Sequence, residues 1–194
     1  MPTAQTPQNK TALRDQLLTA RNRRPLTEVG ADAAAIAERL LAAPEVRRAA
    51  TVAAYVSIGT EPGTTALIEA LREQGKRILL PVVQRNLDLD WAVHTGDLVT
   101  ARMGLLEPAG PPEGVDAIAW ADVVLLPGLA VDSAGWRMGR GGGCYDRALG
   151  RVPVGTPTIV LLYDDEVVDQ VPTEPHDRPV THVVTPRRLV RLRA

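Results

Sequence analysis

The stretch VVLLPGLAVDSAGWRMGRGGGCYDR, Val123 to Arg147, decides how this chain reads. Its apolar run Val123–Leu126 has the character of a buried strand, and Pro127-Gly128 stops it. A polar loop follows, carrying Arg137 and Arg140 and ending in Gly141, Gly142 and Gly143. A short helix is expected next, with Cys144 at its start and Tyr145, Asp146 and Arg147 in its first turn. Strand, cationic glycine loop and helix start suit an anion, because backbone N–H groups free of side chains can converge on phosphate oxygens. Asp146 beside them suits a magnesium ion shared between carboxylate and phosphate. The loop matches neither the P-loop nor the dinucleotide fingerprint. A plain turn needing positive φ is the alternative for a bare glycine triplet; the two arginines and the aspartate around this one favour phosphate.

Outward from that loop, the chain alternates helices and strands. From Lys10, Leu13, Leu17 and Ala20 recur at helical spacing. A second helix is expected from about Asp32, through Ile36 and Leu40, ending before Pro44. Thr51–Ser57 reads as a core strand, and Thr64 or Thr65 caps a helix with Leu67, Ile68 and Leu71 that Gly75 closes. Arg77–Val83 is the next strand, and Leu87–Val93, interrupted by Asp88 and Asp90, reads as half-exposed. Leu105–Gly114 reads as loop, Asp122–Leu126 and Thr158–Tyr163 as strands, and Val180–Thr185 as a shorter one. The expectation is an α/β fold: a single domain over residues 10–194, three-layer α/β/α, with a mostly parallel, Rossmann-like sheet and a flexible N-terminus at 1–9. Ligands should bind beyond the carboxyl ends of the strands, where strand order reverses.

With 194 residues and 45% apolar content the chain can bury one proper core. A net charge of −1 argues against a general nucleic-acid or membrane-surface role, and a single cysteine, Cys144, excludes an internal disulfide and a thiolate zinc cluster. No apolar signal core opens the sequence and no run approaches membrane-spanning length, so a cytoplasmic protein is expected.

Beyond the glycine loop, Glu61 follows the first strand, where it can hold a polar or cationic substrate group or simply belong to a solvated turn. Asp164-Asp165-Glu166 and Glu174-Pro-His176-Asp177 follow the later strand; Asp177 has a loop setting that suits magnesium, with an ordinary acidic loop as the alternative. His176 beside prolines is left out of the chemistry. Lys10 and Arg14, four apart, share one face of the first helix and can reach one phosphate chain. The tail arginines Arg187, Arg188, Arg191 and Arg193 read as solvated, without aromatic interleaving. Cys144 reads as a packing residue of the loop.

Taken together, Lys10-x-x-Leu13-Arg14, YVSIGTEPGT, Gly104-x-x-Glu107-Pro108, PGLAVDSAGWRMGRGGGCYDR and VPTEPHDRPVTHVVT resemble the 5-formyltetrahydrofolate cyclo-ligase family, also called methenyltetrahydrofolate synthetase, over nearly the whole chain. The resemblance implies a ligase that uses ATP and magnesium to turn 5-formyltetrahydrofolate into 5,10-methenyltetrahydrofolate, releasing ADP and phosphate. It implies that Lys10, Thr11, Ala12, Leu13 and Arg14, with Arg137, Met138, Gly139, Arg140, Gly141, Gly142, Gly143, Cys144 and Tyr145, hold ATP. It implies magnesium on Asp146 and Asp177, and a folate site of Val56 and Glu61 with Arg140 to Cys144 between the two substrates. Arg140 and Glu61 are then the catalytic pair, and the partners are small molecules only, on a monomer. Many members have Phe where this chain has Val131, and Tyr-Tyr-Asp where it has Cys144-Tyr145-Asp146; Trp136 stands where many carry a smaller or polar residue.

Overall fold

The computed structural model describes residues 9–193. Of the expected flexible segment 1–9, only Asn9 falls among them, and its side chain caps the first helix by accepting from Thr11 N–H at 3.1 Å. In order, the chain forms α1 (Lys10–Asn22), α2 (Leu26–Ala42), α3 (Pro44–Arg48), β1 (Thr51–Ala53), α4 (Thr65–Glu73), β2 (Arg77–Val83), β3 (Leu89–Val93), β4 (Leu98–Thr100), β5 (Leu106–Pro108), β6 (Val123–Pro127), β7 (Ala130–Val131), β8 (Arg137–Met138), α5 (Cys144–Leu149), β9 (Thr158–Leu161), β10 (His182–Val184) and β11 (Leu189–Arg191). Seven strands make one sheet in the order β11-β10-β9-β6-β1-β2-β3. The four inner pairings are parallel, while β2–β3 and β10–β11 close the two edges antiparallel. The sheet is therefore mostly parallel, as expected.

Period-two alternation separates its two faces. Val52 and Ala54 face Ile36 and Leu40 of α2 and Leu67, Ile68 and Leu71 of α4, whereas Ala53 joins Trp91, Ile118, Ala148 and Leu149 on the opposite side. One layer is thus three helices, and the other is the short α5 with the 3-10 turn Val115–Trp120. The first helix covers neither face. Leu13 and Leu17 pack on Leu129, Ala130, Met138 and Val171, beside the β7–β8 hairpin. A buried ion pair holds it there: Arg21 Nε and Nη2 donate to Glu166 at 2.6 and 2.8 Å, and Nη2 also donates to the Gly128 carbonyl at 2.6 Å.

Several expected boundaries move. The second helix starts at Leu26 rather than near Asp32, because its first turns, with Leu26 86% exposed, bury nothing and so carry no apolar period. The first strand ends at Ala53, although Ala54 N–H still donates to Leu79 carbonyl at 2.9 Å; beyond it the chain leaves the sheet at the carboxyl end of β1. Leu87 leaves the β3 strand for a left-handed turn at φ 64°, and Asp88 is buried rather than half-exposed, gripped by both ends of the Arg151 guanidinium at 2.8 and 2.6 Å. The expected loop Leu105–Gly114 contains β5, paired with β4 through Leu98–Pro108 and Thr100–Leu106. The C-terminal residues expected to be a solvated tail include β11, an edge strand.

Candidate active site

Strand order reverses between β1 and β6, since the chain leaves β1 for β2 on one side and later returns to β6 on the other. A cleft of about 350 Å³ opens at that point, beyond the carboxyl ends of the strands. It is walled by the loop after β1, the glycine loop, the β4–β5 hairpin and the loop around Asp177. Topology alone puts a ligand site there.

The glycine loop is shaped by backbone angles that favour glycine and by side chains lying close against it. Gly141 has φ 104° and Gly143 φ 65°, both in the left-handed region, and Gly143 leads directly into α5. A Cβ on Gly139 would stand 2.7 Å from Arg137 Nη1, so the guanidinium lies along the bare backbone. Arg137 is buried, donates to Asp146 Oδ1 at 3.1 Å, and keeps its Nε without a partner. Arg14 reaches the same loop and donates from Nε to Gly139 carbonyl at 3.1 Å.

Around it the carboxylates are held in place but not saturated. Asp146 Oδ1 also accepts from Arg178 N–H at 3.1 Å, which draws the residue after Asp177 alongside it. Asp177 Oδ2 accepts from Lys10 Nζ and from Glu174 N–H, both at 2.6 Å. Burial would raise the Asp177 pKa, but the Lys10 hydrogen bond, the Glu174 N–H and the lysine charge outweigh it and hold it below the ordinary carboxylate range. For Lys10 burial acts downward, and the hydrogen bonds and charges of Asp177 and Glu174 win, raising it. Asp146 Oδ2 and Asp177 Oδ1 accept no hydrogen bond among the described residues, and ligand atoms of Glu174, His176 and Asp177 lie within 4.8 Å of one another. Hard oxygen donors facing one space fit a magnesium ion.

The opposite flank is apolar. Tyr55, Val56, Ile58, Pro81, Val83, Leu89, Leu105, Leu106 and Tyr145 line it, with Glu61 and Glu107 as its carboxylates. Glu61 is buried; its Oε2 accepts from Ile58 N–H at 3.0 Å and its Oε1 from Arg140 Nε at 3.2 Å. Arg140, at the tip of the glycine loop, thus joins the two flanks. Burial first, then Glu61 nearby, pushes the Tyr55 and Tyr145 phenols well above their usual range, so both stay protonated.

The cleft contains the expected Lys10, Arg14, Val56, Glu61, Arg137 to Asp146 and Asp177. Thr11, Ala12 and Leu13 do not line it: α1 turns Thr11 and Ala12 to solvent and Leu13, 6% exposed, into the core. Only the i, i+4 pair of that segment can face the cleft, by helix geometry. Sequence reasoning missed Tyr55, the β2 end at Pro81 and Val83, and the hairpin Leu105–Glu107. It also set aside Glu174 and His176, whose proximity to Asp177 in sequence was the available signal.

A family model described as the 5-formyltetrahydrofolate cyclo-ligase family matches residues 6–186. The chain belongs to that family. A 5-formyltetrahydrofolate cyclo-ligase of Mycolicibacterium smegmatis is 43% identical over 94% of this chain and 96% of its own, and one from Escherichia coli is 35% identical over 79% and 87%. A 5,10-methenyltetrahydrofolate synthetase of Aquifex aeolicus, solved by NMR, shares the fold with a TM-score of 0.82 and 28% identity, covering 95% of this chain and 93% of that one. Of the departures from the cyclo-ligase pattern, Val131 is fully buried in β7 and Trp136 packs beside the α1 core, both outside the cleft. Asp132 after Val131 accepts from Ala134, Trp136 and Val171 N–H and so shapes the loop. Cys144 alone of these departures faces the cleft, where its sulfur would lie 3.2 Å from a Cβ on Gly142.

Proposed function

We propose that this cyclo-ligase family member converts 5-formyltetrahydrofolate to 5,10-methenyltetrahydrofolate at the expense of ATP, with magnesium, releasing ADP and phosphate. The observation that carries the reading is one cleft with a cationic glycine loop on one flank, an apolar wall with buried Glu61 on the other, and Arg140 touching both. An amide-like formyl oxygen is a poor leaving group, and phosphorylation makes it a good one. The formyl oxygen attacks the γ-phosphorus as the bond to ADP breaks; N10 then attacks the formyl carbon, gives up its proton to the departing phosphate, and the carbon–oxygen bond breaks as phosphate leaves. The protein's part is alignment and charge neutralisation.

In this reading Lys10, Arg14, Arg137 and the loop N–H groups cradle the triphosphate, and Asp146 and Asp177 would hold magnesium. The metal would neutralise charge on the phosphate oxygens. Arg140 leaves Glu61 to meet the transferring phosphoryl, and the freed Glu61 bonds polar atoms of the pterin, while Val56, Tyr55 and Leu89 pack against its ring. The working form is proposed to be a cytoplasmic monomer; among the described residues no helix is long and apolar enough to cross a membrane. The test follows the near-ultraviolet absorbance of the methenyl product with 5-formyltetrahydrofolate, ATP and magnesium. Product that requires all three is expected, and folded protein that makes none overturns the reading.

A further inference from the structure

A lysine stands where the carboxylates around Asp177 would meet a divalent cation. Lys10 Nζ donates to Asp177 Oδ2 at 2.6 Å and to Glu174 Oε2 at 2.9 Å. These are two of the three cleft residues, with His176, whose ligand atoms lie within 4.8 Å of one another. The Lys10 side chain is 17% exposed and that of Asp177 5%, so water screens the pair only weakly. His176 Nε2 stands 3.7 Å from both carboxylates, at the exposed edge of the group.

The carboxylates are assembled independently of the lysine. Arg178 N–H donates to Asp146 Oδ1 at 3.1 Å, and Glu174 N–H donates to Asp177 Oδ2 at 2.6 Å, so main-chain bonds tie the two aspartates into one unit. Lys10 opens α1, whose backbone is fixed by the Asn9 cap and by Leu13 and Leu17 in the core. What can move is the ammonium on its four-carbon stem, a compact charge able to rotate from one acceptor to another. An ammonium and a divalent ion cannot both lie against Asp177, because like charges at contact repel strongly where screening is weak. A triphosphate changes that balance. It offers the lysine several anionic oxygens and the metal further oxygen ligands.

We infer that Lys10 plugs the cation position of the nucleotide-free protein, and that Asp177 accepts a divalent ion only as a triphosphate draws the lysine away. Lys10 is then the residue that makes the site select the metal–nucleotide complex over the free metal. The inference rests on the ATP and magnesium reading above. An ion pair that merely fastens the Asp177 loop to α1 predicts the opposite sign: losing Lys10 would loosen the carboxylates and weaken metal binding.

The test titrates manganese, a paramagnetic substitute for magnesium, into nucleotide-free protein and follows the free ion by electron paramagnetic resonance. Lys10→Met should bind manganese roughly tenfold more tightly than wild type, within the usual range of coupling between two ligands. The gain should disappear in Lys10→Met/Asp177→Asn. Lys10→Gln keeps a donor without the charge; it should also bind more tightly than wild type, and it carries the comparison if the methionine variant does not fold. Thermal unfolding gives a second readout: manganese without nucleotide should raise the midpoint of Lys10→Met and leave that of wild type nearly unchanged. Equal or weaker binding in the Lys10 variants, or a gain that survives Asp177→Asn, overturns the inference. The ATP reading fails separately, if wild type makes no product from 5-formyltetrahydrofolate, ATP and magnesium.

Discussion

On the glycine-loop flank of the cleft, Lys10, Arg14 and Arg137 already bond groups of the protein: Asp177, the Gly139 carbonyl and Asp146. On the apolar flank, Val83, Leu89, Leu105 and Leu106 present side chains that can act only by packing. The first flank is organised by charges waiting to exchange one partner for another, so its geometry is set before any ligand arrives. The second is a shaped wall whose selectivity comes from contact. The loop itself divides along the same line. A Cβ on Gly141 would meet Arg14 at 3.4 Å, whereas one on Gly142 would meet Cys144 Sγ at 3.2 Å and Leu87 Cδ1 at 4.0 Å.

The hardest way to break this contrast is Gly141→Val. A branched residue at φ 104° forces the backbone to move, and turnover should fall by more than about 10³-fold as the phosphate cradle opens, as in the loss of several transition-state contacts. Steady-state kinetics with ATP varied checks it. Asp146→Asn should lower kcat by roughly 10²–10³, the scale of one strong electrostatic contact, and shift the magnesium titration upward. Leu105→Asp tests the other flank: it should raise the KM for the folate roughly 10- to 100-fold, as expected for losing one apolar contact surface, with the KM for ATP unchanged. Parallel rises in both constants would show that the flanks do not act separately.

The smallest expected effect is titration of the Lys10–Asp177 pair. Asp177 has a lowered pKa, so its contribution to stability is present above the ordinary carboxylate range and is lost as pH falls through the lowered value. Lys10 has a raised pKa, so its contribution is complete below the ordinary lysine range and is lost only as pH rises through the raised value. The pair therefore stays intact across neutral pH. Lys10→Met should move the Asp177 pKa upward in a carboxyl-detected NMR titration, and an unmoved value would mean that the Glu174 N–H alone holds it down.

Much of the glycine-loop flank was legible because its chemistry is local: Arg137 to Asp146 is one continuous stretch, and Lys10 and Arg14 are one helical turn apart. Of the apolar flank only Val56 and Glu61 were named, because Tyr55, Val83 and Leu105 come from three separate segments and look like core residues in sequence. The β4–β5 hairpin was hidden by its length, three residues a strand, amid Pro and Gly that signal a loop. The early part of α2 was hidden because exposed turns leave no period to detect, and Gly30, with nothing within 4 Å of its would-be Cβ, imitates a helix stop. The parallel strand order was inferable only as a class; its reversal at β1 and β6 needed the structure.

The Arg21–Glu166 pair has a mechanical consequence. Both side chains are almost wholly inaccessible to water, at 1% and 2%, and Glu166 also accepts from Tyr163 N–H at 2.9 Å. Parting them would strand a bare charge in a dry interior, a penalty of about 3–5 kcal/mol when one member of such a pair is removed. Helix α1, and with it Lys10 and Arg14, is therefore bolted to the sheet and cannot swing as a door. The phosphate side of the site is thus an anvil, fixed in place before anything is laid on it.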